Sequence, residues 1–371
     1  MKRCIMLMVA GLLISGLMYH DSPACTSFQL NHKGRIFVGK NLDWIVQDGL
    51  IIVNKRGVSK TAMESIGSNE GIGQPASWIS RYGSITFNQY GRENPGGGMN
   101  EVGLVIESMG LFEKGKYPEP DSRPSVLMNQ WMQYQLDKSA SVKEVLASDA
   151  QVRIRPKQGV QIHYLVSDKE GNCASIEFID GQMVCFKNQT MPHKVVTNNI
   201  YTDCMEFYKQ DKIPEPDRFK SIERFIRTAN MLESYEPDGS KSPLDYAFDI
   251  LKSVSWSATR KQNNLTWVTN TRWSIVYDVN NRHIYFRTFG NQQIRKIDMA
   301  AFDFSCGTPV KVLDINARLE GDVTHHFIDY TRQINFDLIR NAYDKTVYLP
   351  KFPVEKVDAF SKYPDTTACT D

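Results

Sequence analysis

The chain has 371 residues, of which 41% are hydrophobic and 23% charged, and its formal net charge is +2. These proportions are ordinary for a soluble globular protein that is large enough to bury a sizeable core. No block of basic residues is present, which argues against nucleic acid as a partner. After the N-terminal segment, no apolar run is long enough to span a membrane.

The first 24 residues have the features of a secretory signal. Basic residues open the segment, residues 4–18 are apolar, and Ser22 and Ala24 are small residues at the −3 and −1 positions of a cleavage site. We therefore predict that residues 1–24 are removed. The mature chain then begins at Cys25, and the protein is secreted or periplasmic.

A cysteine at the first mature position has two interpretations. A freed α-amine has a pKa of about 7.7–8, so one residue would supply both a base and a thiol nucleophile. The alternative is a lipid-anchored binding protein whose Cys25 is acylated. Lipoprotein signals normally carry leucine three residues before the cysteine, and Ser22 occupies that position here.

The region after Cys25 is rich in strand patterns. Alternating and apolar runs predict strands over 25–30, 35–44, 51–56 and 84–90, the first two joined by a hairpin turn at 31–34. The glycine-rich segment 93–101 predicts a tight turn that leads into a further strand.

Two helices follow in the prediction. The first is capped by Asp121 and Ser122, has Pro124 in its first turn, and continues toward Leu136. The second opens at the capping box formed by Ser141 and Glu144.

Strands and helices then alternate in groups. Strands are expected at 162–168, 173–179, 182–186 and 193–198, helices at 218–232 and 243–254, and a final hairpin at 273–289 with its turn at Asn280 and Asn281. This order predicts an α+β fold with two antiparallel sheets between helix layers. The N-terminal strand would lie inside one of these sheets.

The cysteine pattern indicates neither a zinc site nor a disulfide framework, because no C-x-x-C pair occurs and the spacing is irregular. In the hairpin that turns at Asp180 and Gly181, Ile176 faces Cys185. Cys173 then points to the opposite face and should not bond to Cys185. We expect Cys185 to be a buried apolar residue.

Five short motifs occur in order: CTSF at Cys25, GKNLDW, GGMNEVGL, VVTNN and ERFIRTA. Together they resemble the choloylglycine hydrolase family, which contains bile salt hydrolases and penicillin V acylases and lies within the N-terminal nucleophile (Ntn) hydrolases. The resemblance extends to Met299. It implies a four-layer αββα sandwich, here as a single domain over 25–371. It also implies the hydrolysis of linear C–N amide bonds without a metal or cofactor.

The same resemblance gives expectations about ligands and assembly. Conjugated bile salts are the first expected substrates, and penicillin V and fatty N-acyl amides are alternatives with the same chemistry. The partner is therefore a small-molecule N-acyl amide. Relatives are often tetramers, so a homotetramer is also an expectation.

The family's catalytic residues can be carried onto this chain. Cys25 would be the nucleophile, and Asp43 would accept a hydrogen bond from its α-amine. Asn198 would donate its side-chain NH₂ to the oxyanion, with Asn199 as the rival position. The backbone N–H of Gly110 would complete the oxyanion hole.

Arg224 in ERFIRTA would be the family's active-site arginine, with Arg218 as a rival. The family commonly has arginine just before N-L-D, and this chain has Lys40 there, which keeps the charge but loses the bidentate fork. Lys40 is therefore a candidate substrate-binding residue. Outside the motifs, Tyr277 and Tyr285 are expected to be packing residues, and the pair at 325–326 to be surface or core histidines.

Overall fold

The computed structural model describes residues 25–63, 73–111, 114–155, 161–210, 220–262, 265–347 and 351–370. The signal segment 1–24 and the rival Arg218 lie outside these ranges. The described helices are α1 (Met128–Lys138), α2 (Val142–Ala147), α3 (Tyr201–Tyr208), α4 (Ser221–Glu233), α5 (Pro243–Ser253), α6 (Arg332–Lys345) and α7 (Val354–Lys362).

The strands in the first half of the chain are β1 (Thr26–His32), β2 (Arg35–Trp44), β3 (Leu50–Asn54), β4 (Val58–Thr61), β5 (Ser77–Ile79), β6 (Ser84–Asn88), β7 (Gly97–Asn100), β8 (Val105–Leu111), β9 (Ser125–Val126), β10 (Arg153–Ile154), β11 (Gln161–Ser167), β12 (Cys173–Ile179) and β13 (Gln182–Lys187). Those in the second half are β14 (Val195–Val196), β15 (Ser257–Gln262), β16 (Leu265–Asp278), β17 (His283–Thr288), β18 (Asn291–Asp298), β19 (Lys311–Asp314), β20 (Gly321–Asp322), β21 (Ile328–Asp329) and β22 (Ala368–Cys369).

Two large sheets contain most of these strands. The first sheet has the order β14-β1-β2-β16-β17-β18-β20, with β15 paired to β16. The second sheet has the order β13-β12-β11-β8-β7-β6-β3-β19-β21. As predicted, the N-terminal strand lies inside a sheet, because β1 pairs with both β14 and β2. This pairing fixes the main chain next to Cys25 on two sides.

The sheets pack face to face, and helices cover their outer faces. Between the sheets, the Phe87 ring lies 6.2–6.3 Å from the rings of Trp273, Tyr277 and Phe286. Helices α4 and α5 pack on the first sheet, whereas α1 and α6 pack on the second. The predicted α+β sandwich with the layer order αββα is confirmed.

Side chains along β8 point alternately to the core between the sheets and to the helix layer. Val105 and Met109 belong to the core between the sheets, and Ile106 belongs to the cluster that packs around α1. Glu107 shares the inner face with Val105 and Met109. This glutamate is 2% exposed, so a carboxylate is buried between the two sheets.

Two sequence predictions in this region were wrong. The glycine-rich segment does not form the turn: Gly97 and Gly98 lie in β7, and the turn follows at 101–104. Glycine is needed in β7 because the neighbouring strand lies close to it. A Cβ added to Gly98 would fall 2.6 Å from the Ile85 carbonyl oxygen. The first helix starts at Met128, since Ser125 and Val126 pair with β10, and Asp121 binds Arg123 instead of capping.

The predictions about the helices and the cysteines were met only in part. Ser141 caps α2 as predicted, and Ile176 faces Cys185, although Cys185 is only partly buried. Helix α3 was not predicted, because no neighbouring side chain caps its start. The N–H of its first residue, Tyr201, donates instead to the carboxylate of Glu177, which is distant in the chain, at 2.8 Å. One disulfide joins Cys306 to Cys369.

Across the described residues, no helix has both the length and the apolar character needed to cross a membrane.

Candidate active site

Cys25 lies at the start of β1, where several motifs of the sequence come together. The residue is 5% exposed, and its main-chain nitrogen lies 2.8 Å from Asn198 Oδ1. Its sulfur interacts with the main-chain N–H of Asp43. The nucleophile candidate is therefore held by the chain ends of β1, β2 and β14.

Arg224 fixes the main chain around Cys25. From α4, its guanidinium donates to the Cys25 carbonyl oxygen, to Thr26 Oγ1 at 2.6 Å, and to Asn198 Oδ1 at 2.9 Å. The side chain is 1% exposed. A planar fork with several donors suits this task, which a single ammonium group cannot perform.

Asn198 has a defined amide orientation. Its Oδ1 accepts from both Cys25 N and Arg224 Nη2, so the other end must be the NH₂ group. That group donates to the Gly110 carbonyl oxygen at 2.8 Å. One of its two N–H bonds is thereby used, and the second has no acceptor in the part of the chain that the structure describes.

Gly110 presents its main chain toward the same place. Its partner on β11 is Ile162, whose N–H and C=O both bond to Tyr117 Oη, at 2.9 and 3.2 Å. The pair is therefore of the type without mutual hydrogen bonds. The N–H and C=O of Gly110 both point away from β11, on the side where the carbonyl meets Asn198.

Asp43 is fully buried and lies beside Cys25. Its Oδ1 accepts from the Thr271 hydroxyl, and its Oδ2 has no hydrogen-bond partner among the described residues. The Cys25 nitrogen bonds to Asn198 instead. Burial raises the pKa of Asp43 to about 7, although Arg224, Thr271 and Lys40 favour the ionised form.

The electrostatics at Cys25 favour a neutral thiol. Burial raises the pKa of the thiol, and Asp43 adds to this effect. Lys40, the Asp43 N–H and Arg224 act in the opposite direction, and Lys40 has the largest effect of the three. A buried thiol of this kind needs a base beside it before it can attack.

Lys40 points between the sheets from β2. Its ammonium donates to the Ser108 carbonyl oxygen and lies 4.0 Å from the Glu107 carboxylate. Glu107 in turn accepts from the Tyr277 hydroxyl. Tyr277 is therefore more than a packing residue, whereas Tyr285 packs against the core as expected. The histidines at 325–326 are exposed.

A second buried network supports Asn198 and was missed by sequence reasoning. Ser221 Oγ accepts from the Asn198 N–H at 2.7 Å and donates to Thr197 Oγ1 at 2.9 Å. The Thr197 carbonyl lies 2.6 Å from His163 Nε2, and His163 Nδ1 lies 3.2 Å from Glu177. The only local signal was the polar character of His163 and Glu177 within apolar strands.

Comparisons with known proteins identify the family of the chain. The family described as linear amide C–N hydrolases, choloylglycine hydrolase family, matches residues 25–210 and 208–312. A penicillin V acylase of Pectobacterium atrosepticum is 24% identical over 262 residues, which cover 62% of this chain and 69% of that protein.

Solved structures share the fold. The penicillin V acylase from Agrobacterium tumefaciens superposes with a TM-score of 0.68 at 24% identity, covering 83% of this chain and 98% of that one. A variant of the conjugated bile acid hydrolase from Clostridium perfringens gives a TM-score of 0.66 at 18% identity, covering 80% and 98%. The chain belongs to the choloylglycine hydrolase family of linear amide C–N hydrolases.

Proposed function

We propose that this hydrolase uses Cys25 as an N-terminal nucleophile, with its own α-amine as the base. The observation that carries the proposal is the position of the Cys25 nitrogen, which lies 2.8 Å from Asn198 Oδ1 in a site shared with Arg224 and Asp43. Cleavage before Cys25 gives this nitrogen additional hydrogens. Asp43 Oδ2, which is buried and has no hydrogen-bond partner among the described residues, is the acceptor that we assign to them.

The reaction then follows in two stages. The α-amine takes the thiol proton as the sulfur attacks the amide carbonyl, and the oxyanion forms against the second Asn198 N–H and the Gly110 N–H. Collapse breaks the C–N bond, and the α-ammonium returns its proton to the departing amine. The α-amine next activates a water, which hydrolyses the thioester and releases the carboxylic acid.

The substrate class that we propose is a linear N-acyl amide. The penicillin V acylase relative favours a phenoxyacetyl amide as the first compound to assay. Conjugated bile salts and fatty N-acyl amides remain proposals with the same chemistry. Gly110 contributes its main chain but no side chain at this point of the site, a feature that we propose gives room for the acyl group.

Location and assembly belong to the same proposal. A chain processed before Cys25 would act in the periplasm or outside the cell, and the tetramer expected from the family stays a prediction. The competing hypothesis is a lipid-anchored binding protein. Intact mass of the mature chain separates the two, because acylation of Cys25 would block both the thiol and the amine.

The experiment for the proposal is a release assay combined with trapping of the intermediate. The mature protein is mixed with penicillin V, glycine- and taurine-conjugated bile salts, and N-acyl amino acids, and amine release is measured. Acid-quenched samples are then digested and analysed by mass spectrometry for an acyl group on Cys25. We expect turnover and an acyl adduct at Cys25.

A matched control uses a second buried thiol. Burial raises the pKa of Cys173 to about 12, so that thiol should not react. Cys25→Ser should lose activity by orders of magnitude, whereas Cys173→Ser should alter only stability. Acylation of another residue, or equal activity in the two variants, would reject Cys25 as the nucleophile.

A further inference from the structure

Three polar side chains from different strands meet in the core between the two sheets. Lys40 comes from β2, Tyr277 from β16 and Glu107 from β8. Lys40 and Glu107 are each 2% exposed, and Tyr277 is fully buried. We call these three residues the inter-sheet trio.

The Glu107 carboxylate comes from the second sheet and is held by two side chains of the first sheet. The Tyr277 hydroxyl donates to its Oε1, and Lys40 Nζ lies 4.0 Å from its Oε2. On β7, a Cβ added to Gly97 would fall 2.2–2.4 Å from the carboxylate atoms. The other strand neighbour, Leu165, is apolar. The glycine in β7 therefore makes room for this carboxylate.

Lys40 connects the trio to the nucleophile. Its pairing partner on β1 is Ser27, two residues after Cys25. Of the charges that act on the Cys25 thiol, Lys40 has the largest effect, and it favours the thiolate.

The contacts of Lys40 explain why its ammonium needs a partner that holds it in position. A lysine side chain is flexible, and its ammonium has no fixed fork to define its position. Here the ammonium has one carbonyl acceptor, from Ser108, and the Glu107 carboxylate nearby. A buried ammonium in this position depends on the compensating charge of its partner.

We propose that Glu107 is a positioning residue that holds the Lys40 ammonium beside Cys25, so that the two residues act on the nucleophile as one unit. Lys40 and Tyr277 are the titratable groups that act on Glu107. Burial raises the pKa of Glu107 to about 7, whereas Lys40 and the Tyr277 hydroxyl favour its ionised form. The proposal rests on the proposed function for Cys25.

The variant that tests the proposal is Glu107→Gln. Tyr277 donates to Oε1, so the amide oxygen takes that position and the NH₂ group faces Lys40. The two donors then oppose each other in a buried site, and Lys40 should move away from Cys25. The readout is the rate of Cys25 alkylation by iodoacetamide between about pH 7 and pH 11.5, followed by mass spectrometry, because this needs no substrate.

We expect the alkylation midpoint of Glu107→Gln to rise by about one pH unit, which means about tenfold less thiolate below the midpoint. Lys40→Met should raise the midpoint as well, and Lys40→Met/Glu107→Gln should match Lys40→Met within about twofold in rate. If Glu107→Gln fails to fold, Tyr277→Phe keeps both charges and should raise the midpoint by a smaller amount.

The control is a buried glutamate that also pairs with a lysine. Glu93 lies 2.6 Å from Lys60, which also contacts Asp137 at 2.9 Å, away from Cys25. Glu93→Gln should lower stability and leave the alkylation midpoint unchanged.

Three results would overturn the proposal: an unchanged midpoint in Glu107→Gln, a lower midpoint, or the same rise when Lys40 is already methionine. Loss of turnover on every substrate with normal alkylation profiles would instead count against the proposed function. The two failures are therefore distinguishable.

Discussion

Asn198 lies between the nucleophile candidate and the end of β8, an inner strand of the second sheet. Its Oδ1 accepts from the Cys25 nitrogen at 2.8 Å, while its NH₂ group donates to the Gly110 carbonyl at 2.8 Å. One side chain thus sets the distance between Cys25 on β1 and the end of β8. Both oxyanion donors that we propose depend on this bridge.

The first prediction concerns this bridge. Asn198→Ala removes one oxyanion donor and the acceptor for the Cys25 nitrogen, so kcat should fall by about 10²–10³-fold. The Michaelis constant should change much less, as steady-state kinetics on the best substrate can show. Asn199, which follows in the same bend and has no side-chain hydrogen bond with described residues, is the control. A severe loss in Asn199→Ala with a mild loss in Asn198→Ala would mean that the wrong asparagine was chosen.

A second prediction concerns the guanidinium fork of Arg224. Arg224→Lys keeps the charge but cannot reach the Cys25 carbonyl, Thr26 and Asn198 at the same time, so kcat should fall by about 10²-fold through misplacement of the nucleophile. Arg227 lies on the same helix, and Arg227→Lys, which loses a hydrogen bond to the Ser253 carbonyl, is the control. Its activity should stay near that of the parent protein. Full activity in Arg224→Lys would show that charge alone is sufficient.

A third prediction concerns the Thr271 hydroxyl, which donates a hydrogen bond to Asp43. Thr271 lowers the pKa of Asp43 by donating to it, against the larger effect of burial. Thr271→Val removes this donor, so the pKa should rise and the acid limb of the kcat/KM profile should move to higher pH. Ser274→Ala, which removes a neighbouring hydroxyl bonded to Asn41, is the control. An acid limb that does not move would argue that the charge of Asp43 is not required.

The layer order of the fold and the main candidate site residues could be predicted from the sequence, because each depends on patterns that are local in the chain. Strand alternation and the motifs around Cys25, Asp43 and Asn198 are of this kind. The trio was not predictable in the same way. Glu107 is buried beside Lys40 only because β8 faces β2 across the core, and neither strand carries a local sign of that contact.

The predicted start of α1 was wrong for a similar reason. Asp121 and Ser122 are good capping residues by type, yet the segment after them pairs with the distant Arg153–Ile154 strand. Long-range pairing therefore outweighed the local preference. The absence of a local cap before Tyr201 concealed α3, which is capped by Glu177 from another strand.

A fourth prediction concerns stability and pH. The pKa of Asp43 is raised from 3.8 to about 7 by burial, so the folded state holds a proton that the unfolded state has lost. The stability that this gives is complete below about pH 3.8 and is lost as the pH rises toward 7. Asp43→Asn removes this dependence, so its melting temperature relative to the parent protein should increase between pH 4.5 and 7.

Thermal unfolding over that pH range measures the difference, and a relative change of several degrees is expected. Asp180→Asn, in the exposed hairpin turn, is the control and should follow the parent curve. A constant difference between Asp43→Asn and the parent protein would mean that Asp43 titrates as an ordinary carboxyl.

The most direct test of the account compares two purified chains that differ by one residue at the N-terminus. One begins at Cys25, and the other retains Ala24 so that the α-nitrogen of Cys25 becomes a peptide amide. Both should fold, as judged by thermal unfolding and by circular dichroism. We predict amide hydrolysis by the chain that begins at Cys25 and none by the longer chain. Equal turnover by the two chains would contradict the role of the α-amine as the catalytic base.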